Sequence, residues 1–282
     1  YIIVPEQFTM QTQKNVVEMH PGKGILNIDV LSFQRLAYRI FEETGGAREV
    51  LLDDTGKSMV LQKLVQQHRK NLPYLGSQMN KPGYLDEVKS LISEFMQYDI
   101  REEELQDMLG KTGEDSLLHM KMQDVGVLYQ AFLQYLEGHY MTGEGVMDAL
   151  KKAIPFSDKL KKSVLLLDGF TGFTPVQMNV IRELLNVCDK VLVTVTMDAG
   201  ENPLQMGKPH QLFYMSRKMI HTLSGLTSNL DDPILLKDER KGRFGNSTSL
   251  DFLEKHLFRY KRSAYEKKQE DCLLYTSPSP RD

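Results

Sequence analysis

The 282-residue chain is 41% apolar and 26% charged, the balance of a folded globular protein, which excludes disorder as its main state. Its net charge of −3 lacks the broad basic footprint of a nucleic-acid coat protein, so any contact with DNA must come from a local surface. Its two cysteines, Cys188 and Cys272, are too few for a disulfide framework or a cysteine metal cluster, and the scattered histidines, of which His210 and His221 are the closest pair, lack ligand spacing.

No apolar run approaches the roughly 20 residues that cross a bilayer, and no signal peptide opens the sequence, so a reducing cytoplasm and no membrane are expected. The opening Tyr1-Ile2-Ile3-Val4 reads as the middle of a strand, which places the expected native start upstream. From Cys272 to Asp282 the text breaks from the charged segment before it and resembles sequencing-adapter read-through, so 272–282 is expected to be a non-native tail; a Ser/Pro-rich linker is the alternative.

Four short apolar runs predict buried strands: Tyr1–Val4, Ile25–Leu31, Ser163–Leu167 and Lys190–Thr196. Each precedes a helical pattern, which predicts βαβ units and an α/β fold with a parallel sheet flanked by helices. After the second run Ser32 can cap a helix whose apolar stripe is Phe33, Leu36, Ala37, Ile40 and Phe41, closed by Gly45-Gly46. After the third, Thr174 and Pro175 open a helix striped by Val176, Val180, Ile181 and Leu184.

Between the second and third strands lie about 110 residues without a strand signal, with helices expected at 55–71, 84–98, 101–109, 115–137 and 143–153, separated by turns such as Asn71-Leu72-Pro73 and Lys81-Pro82-Gly83. A crossover needs only a dozen or so residues. The expected organisation is therefore 1–50 and 161–230 as two parts of one α/β domain, 51–160 as an inserted all-helical subdomain, and 231–271 as an exit linker with a short helix at 249–260. A sheet interrupted in this way is the layout of a first motor domain of superfamily 1 helicases, a phosphate-loop NTPase fold.

Asp54-Thr55-Gly56-Lys57-Ser58 ends like a phosphate loop, but Leu51 stands where the pattern needs glycine. It reads instead as a helix start with Thr55 as the cap. Val164-Leu165-Leu166-Leu167-Asp168 reads as a buried strand ending in a carboxylate, the place of a Walker B aspartate. The next residue, which nucleotide hydrolases use to position the attacking water, is Gly169 rather than Glu, so Asp168 marks a degenerate site and no catalytic residue is expected.

Three segments carry a resemblance: Val4-Pro5-Glu6-Gln7-Phe8-Thr9, Val30-Leu31-Ser32-Phe33-Gln34-Arg35-Leu36-Ala37-Tyr38-Arg39, and Leu167-Asp168-Gly169-Phe170-Thr171-Gly172-Phe173-Thr174-Pro175-Val176-Gln177. With Leu52-Asp53-Asp54-Thr55-Gly56 and the Tyr84–Phe95 helix between them, the chain resembles the N-terminal region of the AddB/RexB family of ATP-dependent helicase/deoxyribonucleases over nearly all of 1–271. The resemblance implies a helicase-like body without motor function. It belongs to a protein that joins a motor partner, AddA, to resect double-strand breaks for homologous recombination, and that reads the short Chi sequence in passing single-stranded DNA. It also implies ATP with Mg²⁺, and a 4Fe–4S cluster in an exonuclease domain beyond residue 271. No cofactor is expected within the chain itself.

The residues support a DNA surface independently. Binding groups gather beyond the carboxyl ends of parallel strands. Gln7 and Thr9, then Phe33, Arg35 and Tyr38, then Phe170, all follow such ends. Aromatic faces can stack bases, arginine can take a phosphate or a guanine edge, and amide and hydroxyl groups can read base edges. The family's Chi-reading positions match these residues, with Tyr38 where a Trp can occur. On the bland reading Phe33 is core, because it lies on the apolar stripe, and Phe170 anchors a turn; Tyr38 falls off the stripe, which favours exposure. Two rival functions remain: a scaffold that braces the motor partner, and a truncated ATP-binding module.

Overall fold

The computed structural model describes residues 1–46, 49–79, 81, 83–198, 201–236, 244, 247–259 and 262–266. The expected tail with Cys272, the Pro82 of one expected turn and the Lys237–Arg243 stretch of the expected linker lie outside these residues. The chain divides into two compact units, Tyr1–Val195 and the segment from Thr196 onward.

The first unit opens with β1 (Ile2–Ile3), a 3-10 turn at Glu6–Phe8 and α1 (Thr9–Met19), then β2 (Val30–Leu31) and α2 (Phe33–Thr44). Next come β3 (Val50–Leu52), α3 (Asp54–His68), α4 (Leu75–Gln78), α5 (Tyr84–Gln97), α6 (Glu102–Gly110), α7 (Leu117–Leu136) and β4 (Tyr140–Thr142). The unit closes with α8 (Gly145–Ala153), β5 (Val164–Leu167), α9 (Pro175–Val187) and β6 (Lys190–Val193). The second unit contains α10 (Tyr214–Ser224) and α11 (Thr248–His256).

All four expected strands join one parallel sheet, ordered β2-β1-β5-β6 and flanked by helices. Ile3, Leu165 and Leu167 are wholly buried in it. The second strand is shorter than expected: residues 25–28 stay outside the ladder, and Leu26 is 98% exposed, so that part of the apolar run has no sheet face to cover. Capping follows the sequence closely. Ser32 Oγ accepts from Arg35 N–H, Gly45 ends α2 at φ +75°, and Thr174 forms a reciprocal capping box with Gln177. The helix at 54–68 starts differently: Asp53, not Thr55, is its cap, the carboxylate accepting Gly56 N–H at 2.7 Å.

The stretch expected to hold no strand holds two. β3 and β4 pair in parallel, Val50 opposite Tyr140 and Leu52 opposite Thr142. Three residues each are too few to show an alternating pattern, so only the pairing reveals them. The helices α3 to α7 leave from β3 and return to β4, and Leu61, Leu64, Ile92, Leu105, Leu128 and Phe132 close a core of their own. Beyond β4 the chain rejoins the sheet's helices: α8 buries Val146, Met147 and Leu150 and packs on α2 and α9.

Candidate functional site

The register sets the geometry. Ile3 lies opposite both Leu31 and Leu167, and Leu167 opposite Val193, so the four strands end level. One more rung follows on each: Val4 N–H donates to Leu31 O, Asp168 N–H to Ile3 O and Thr194 N–H to Leu167 O, each at 2.9 Å. The segments after β1, β2 and β5 therefore emerge along one edge, the carboxyl edge on which the sequence places its candidates.

After β1, Pro5 leads into the 3-10 turn, which leaves Glu6, Gln7 and Phe8 exposed. Thr9 is buried and its hydroxyl donates to Glu6 O at 3.0 Å, so it holds the turn from beneath. From the first two turns of α2, Arg35 Nε donates to Glu6 Oε1 at 3.0 Å. One helical turn on, on the same face, Arg39 Nη2 reaches Asp29 Oδ2 at 3.4 Å. With Leu31, Tyr38 and Glu42 these two arginines and Asp29 line an open cavity of about 300 Å³. Tyr38 is 38% exposed and meets Phe41 edge-on at 6.2 Å. Both ion pairs are substantially exposed, so each is worth about 0–1 kcal/mol and can be exchanged for another anion at small cost.

The phenylalanines form a second cluster. Phe33 is buried and lies 5.7 Å from Phe170 and 6.3 Å from Phe173, while Phe170 and Phe173 are 4.9 Å apart. Phe173 is not among the sequence candidates; its only signal is its position three residues after Phe170 across a glycine turn. Glu6, Asp29 and Arg39 are further additions. Arg39 is legible from its four-residue spacing to Arg35, whereas the two carboxylates are partners that only the fold supplies.

Asp168 closes β5 with its Oδ1 accepting the Thr194 hydroxyl from the neighbouring β6 exit. Gly169 follows at φ +76°, a left-handed conformation that favours glycine and disfavours a glutamate. The other nucleotide-like motif is engaged elsewhere. A strand, β3, does precede it, contrary to expectation, but only Asp53 separates strand from helix, leaving no loop to wrap a phosphate. Lys57 is buried, with Nζ donating to Glu144 at 2.9 Å and 3.0 Å and to Ser93 Oγ at 3.2 Å. Burial pushes the Glu144 carboxyl up, but the hydrogen bond and charge of Lys57 more than offset this and hold it below its ordinary value. Lys57 thus ties α3 to the start of α8 and does not fit a phosphate-binding role. Among the described residues no three His, Cys, Asp or Glu side chains gather as a metal-holding group, and no helix is long and apolar enough to cross a membrane.

Residues 1–254 match the family model described as ADDB, N-terminal. The chain is 43% identical over 286 residues to the B subunit of the ATP-dependent helicase/deoxyribonuclease of Lachnoclostridium phytofermentans, covering 99% of this chain and 25% of that protein. Proteins of the same name from Clostridium acetobutylicum and Clostridium novyi are 32% and 29% identical, over 94% and 99% of this chain and 23% and 24% of theirs. The chain therefore spans about a quarter of the length of the curated relatives it matches. On this match, laid over the sheet edge and motifs described above, the chain belongs to the AddB N-terminal family.

Proposed function

We propose that this chain is the DNA-handling, motor-inactive part of the AddB component of an AddAB-type helicase–nuclease, acting in the cytoplasm on double-strand breaks prepared for recombination. Single-stranded DNA crosses the carboxyl edge of the sheet, where the Chi sequence is read. The sheet is the degenerate first domain of a superfamily 1 helicase, and the helices from β3 to β4 are its inserted subdomain. The motor protein AddA is the partner. ATP with Mg²⁺ and the 4Fe–4S cluster belong to the rest of the assembly; two cysteines cannot ligate a four-cysteine cluster.

The observation that carries this reading is the level ending of β1, β2 and β5, which lines up Gln7, Arg35, Tyr38 and the Phe33–Phe170 pair on one edge. Roles divide by exposure. Gln7, Arg35 and Tyr38 are presented to the strand, Phe170 is half-buried beside them, and Phe33 and Thr9 support them from below. Phosphate contacts fix register and base contacts specify. A lost bidentate base contact costs on the order of 1–3 kcal/mol, and a lost stacking ring a similar amount. In the assembled complex, Arg35→Ala is expected to abolish the pile-up of resection products at Chi while unwinding proceeds. Loss of unwinding together with the Chi response would instead favour the scaffold reading.

A further inference from the structure

A second polar site lies in the unit that begins at Thr196, and it does not rest on the DNA reading above. A cavity of about 420 Å³ is lined by Glu201, Asn202, Gly207, Lys208, Gln211 and Arg217, among others. Arg217, in the first turn of α10, is only 7% exposed. Its Nη2 pairs with Glu201 Oε2, but its buried Nε has no hydrogen-bond partner among the described residues. An unpaired buried guanidinium N–H is unfavourable unless an acceptor arrives.

The amides around it are oriented by the chain's own backbone. Asn202 Oδ1 accepts Leu204 N–H at 3.0 Å, and Gln211 Oε1 accepts Lys208 N–H at 2.8 Å. Each amide has one oxygen and one NH₂, so engaging the oxygens leaves the NH₂ donors for a ligand. Lys208 adds an exposed ammonium with no ion pair among the described residues. Gly207 lets the loop close on the guanidinium: a Cβ there would come 2.5 Å from Gln211 Oε1 and 2.9 Å from Arg217 Nη1. The result is a pocket in which both amide oxygens already accept a backbone N–H, which turns the amide NH₂ groups into the side-chain donors offered beside Arg217 and Lys208.

We infer that this pocket binds a phosphate oxyanion, held by Arg217, Lys208 and the amide donors of Asn202 and Gln211. Glu201 offsets part of the positive charge, which keeps the affinity for a lone anion modest. The group can belong to a free nucleotide or to a nucleic-acid backbone, and the two sources are separable by experiment.

The test follows the Arg217 Nε–H signal by ¹H–¹⁵N NMR of the whole chain while inorganic phosphate is added. A saturable shift is expected. Gln211→Glu and Asn202→Asp keep the oxygen that accepts the backbone N–H but turn the donor into a carboxylate, so the loop stays folded. Each should weaken phosphate binding about tenfold or more, the scale of a lost charge-assisted hydrogen bond plus repulsion. Glu201→Gln should tighten it several-fold. Adenosine monophosphate and oligothymidylate without terminal phosphates are then compared: a shift by the oligonucleotide assigns the site to the backbone, and a shift by the mononucleotide alone assigns it to free nucleotide. No saturable shift with any of the three, or unaltered binding in both isosteric variants, overturns the site.

Discussion

Gly169 joins the conformation of one residue to the motor inactivity proposed above. It follows the Walker-like Asp168 at φ +76°, with Pro5 Cδ 3.7 Å from where a Cβ would stand, so space is adequate and the backbone is the obstacle. Gly169→Glu, which would write the missing catalytic carboxylate into the sequence, is expected to lower stability by about 1–2 kcal/mol in urea denaturation and to produce no ATP turnover. DNA-stimulated hydrolysis by this variant would contradict motor inactivity as a property of the fold. Phe33 and Arg35, two residues apart, should separate cleanly. Phe33→Ala opens a cavity among three rings and should cost about 3–5 kcal/mol. Arg35→Ala removes an exposed pair and should cost about 0–1 kcal/mol. Comparing their denaturation midpoints shows which DNA-binding loss reports recognition and which reports unfolding.

At the scale of elements, the buried strands, the Ser32 cap and the Thr174–Gln177 box are legible in the sequence because each is a local pattern: an apolar run, or a polar side chain at a fixed distance before a stripe. What is not legible depends on distant partners. β3 and β4 exist because Val50 and Tyr140 meet across the whole helical excursion. The candidate site divides the same way: its edge and most of its residues can be read, but not the burial of Thr9, the Glu6 and Asp29 partners or the third ring of Phe173. Lys57 is the clearest case: the sequence reads its motif as a helix start rather than a phosphate loop, but not the buried strut that Lys57 makes to Glu144, both side chains close to fully covered. Glu144→Gln should destabilise the chain by about 3 kcal/mol, because it strands a buried ammonium, whereas a Lys57→Met/Glu144→Leu pair should come close to wild type. The pH dependence follows from the depressed Glu144 carboxyl. Its contribution is complete above the ordinary value of 4.5 and is lost as pH falls through the lower folded value, so acid unfolding should begin below that point and shift in Glu144→Gln.

For the molecule as a whole, net charge decides how DNA would be held in the groove under the function proposed above. With a formal charge of −3 the chain lacks the long-range field that dominates non-specific binding, and the two groove arginines are already paired with carboxylates. A strand entering the groove must exchange Glu6 and Asp29 for phosphates or base edges, and the freed carboxylates then gather cations that partly cancel the counterions released from DNA. Binding should therefore depend weakly on salt. Two phosphate contacts give a slope of at most about −1.4 in log K against log salt, or about a sevenfold loss of affinity between 50 and 200 mM. Fluorescence-anisotropy titrations of a short single strand at several salt concentrations measure the slope directly. Arg35→Ala with Arg39→Ala should flatten it toward zero. A slope near −4 would mean that a broad basic surface, rather than the sheet edge, holds the strand, and the assignment of this groove to base reading would fall.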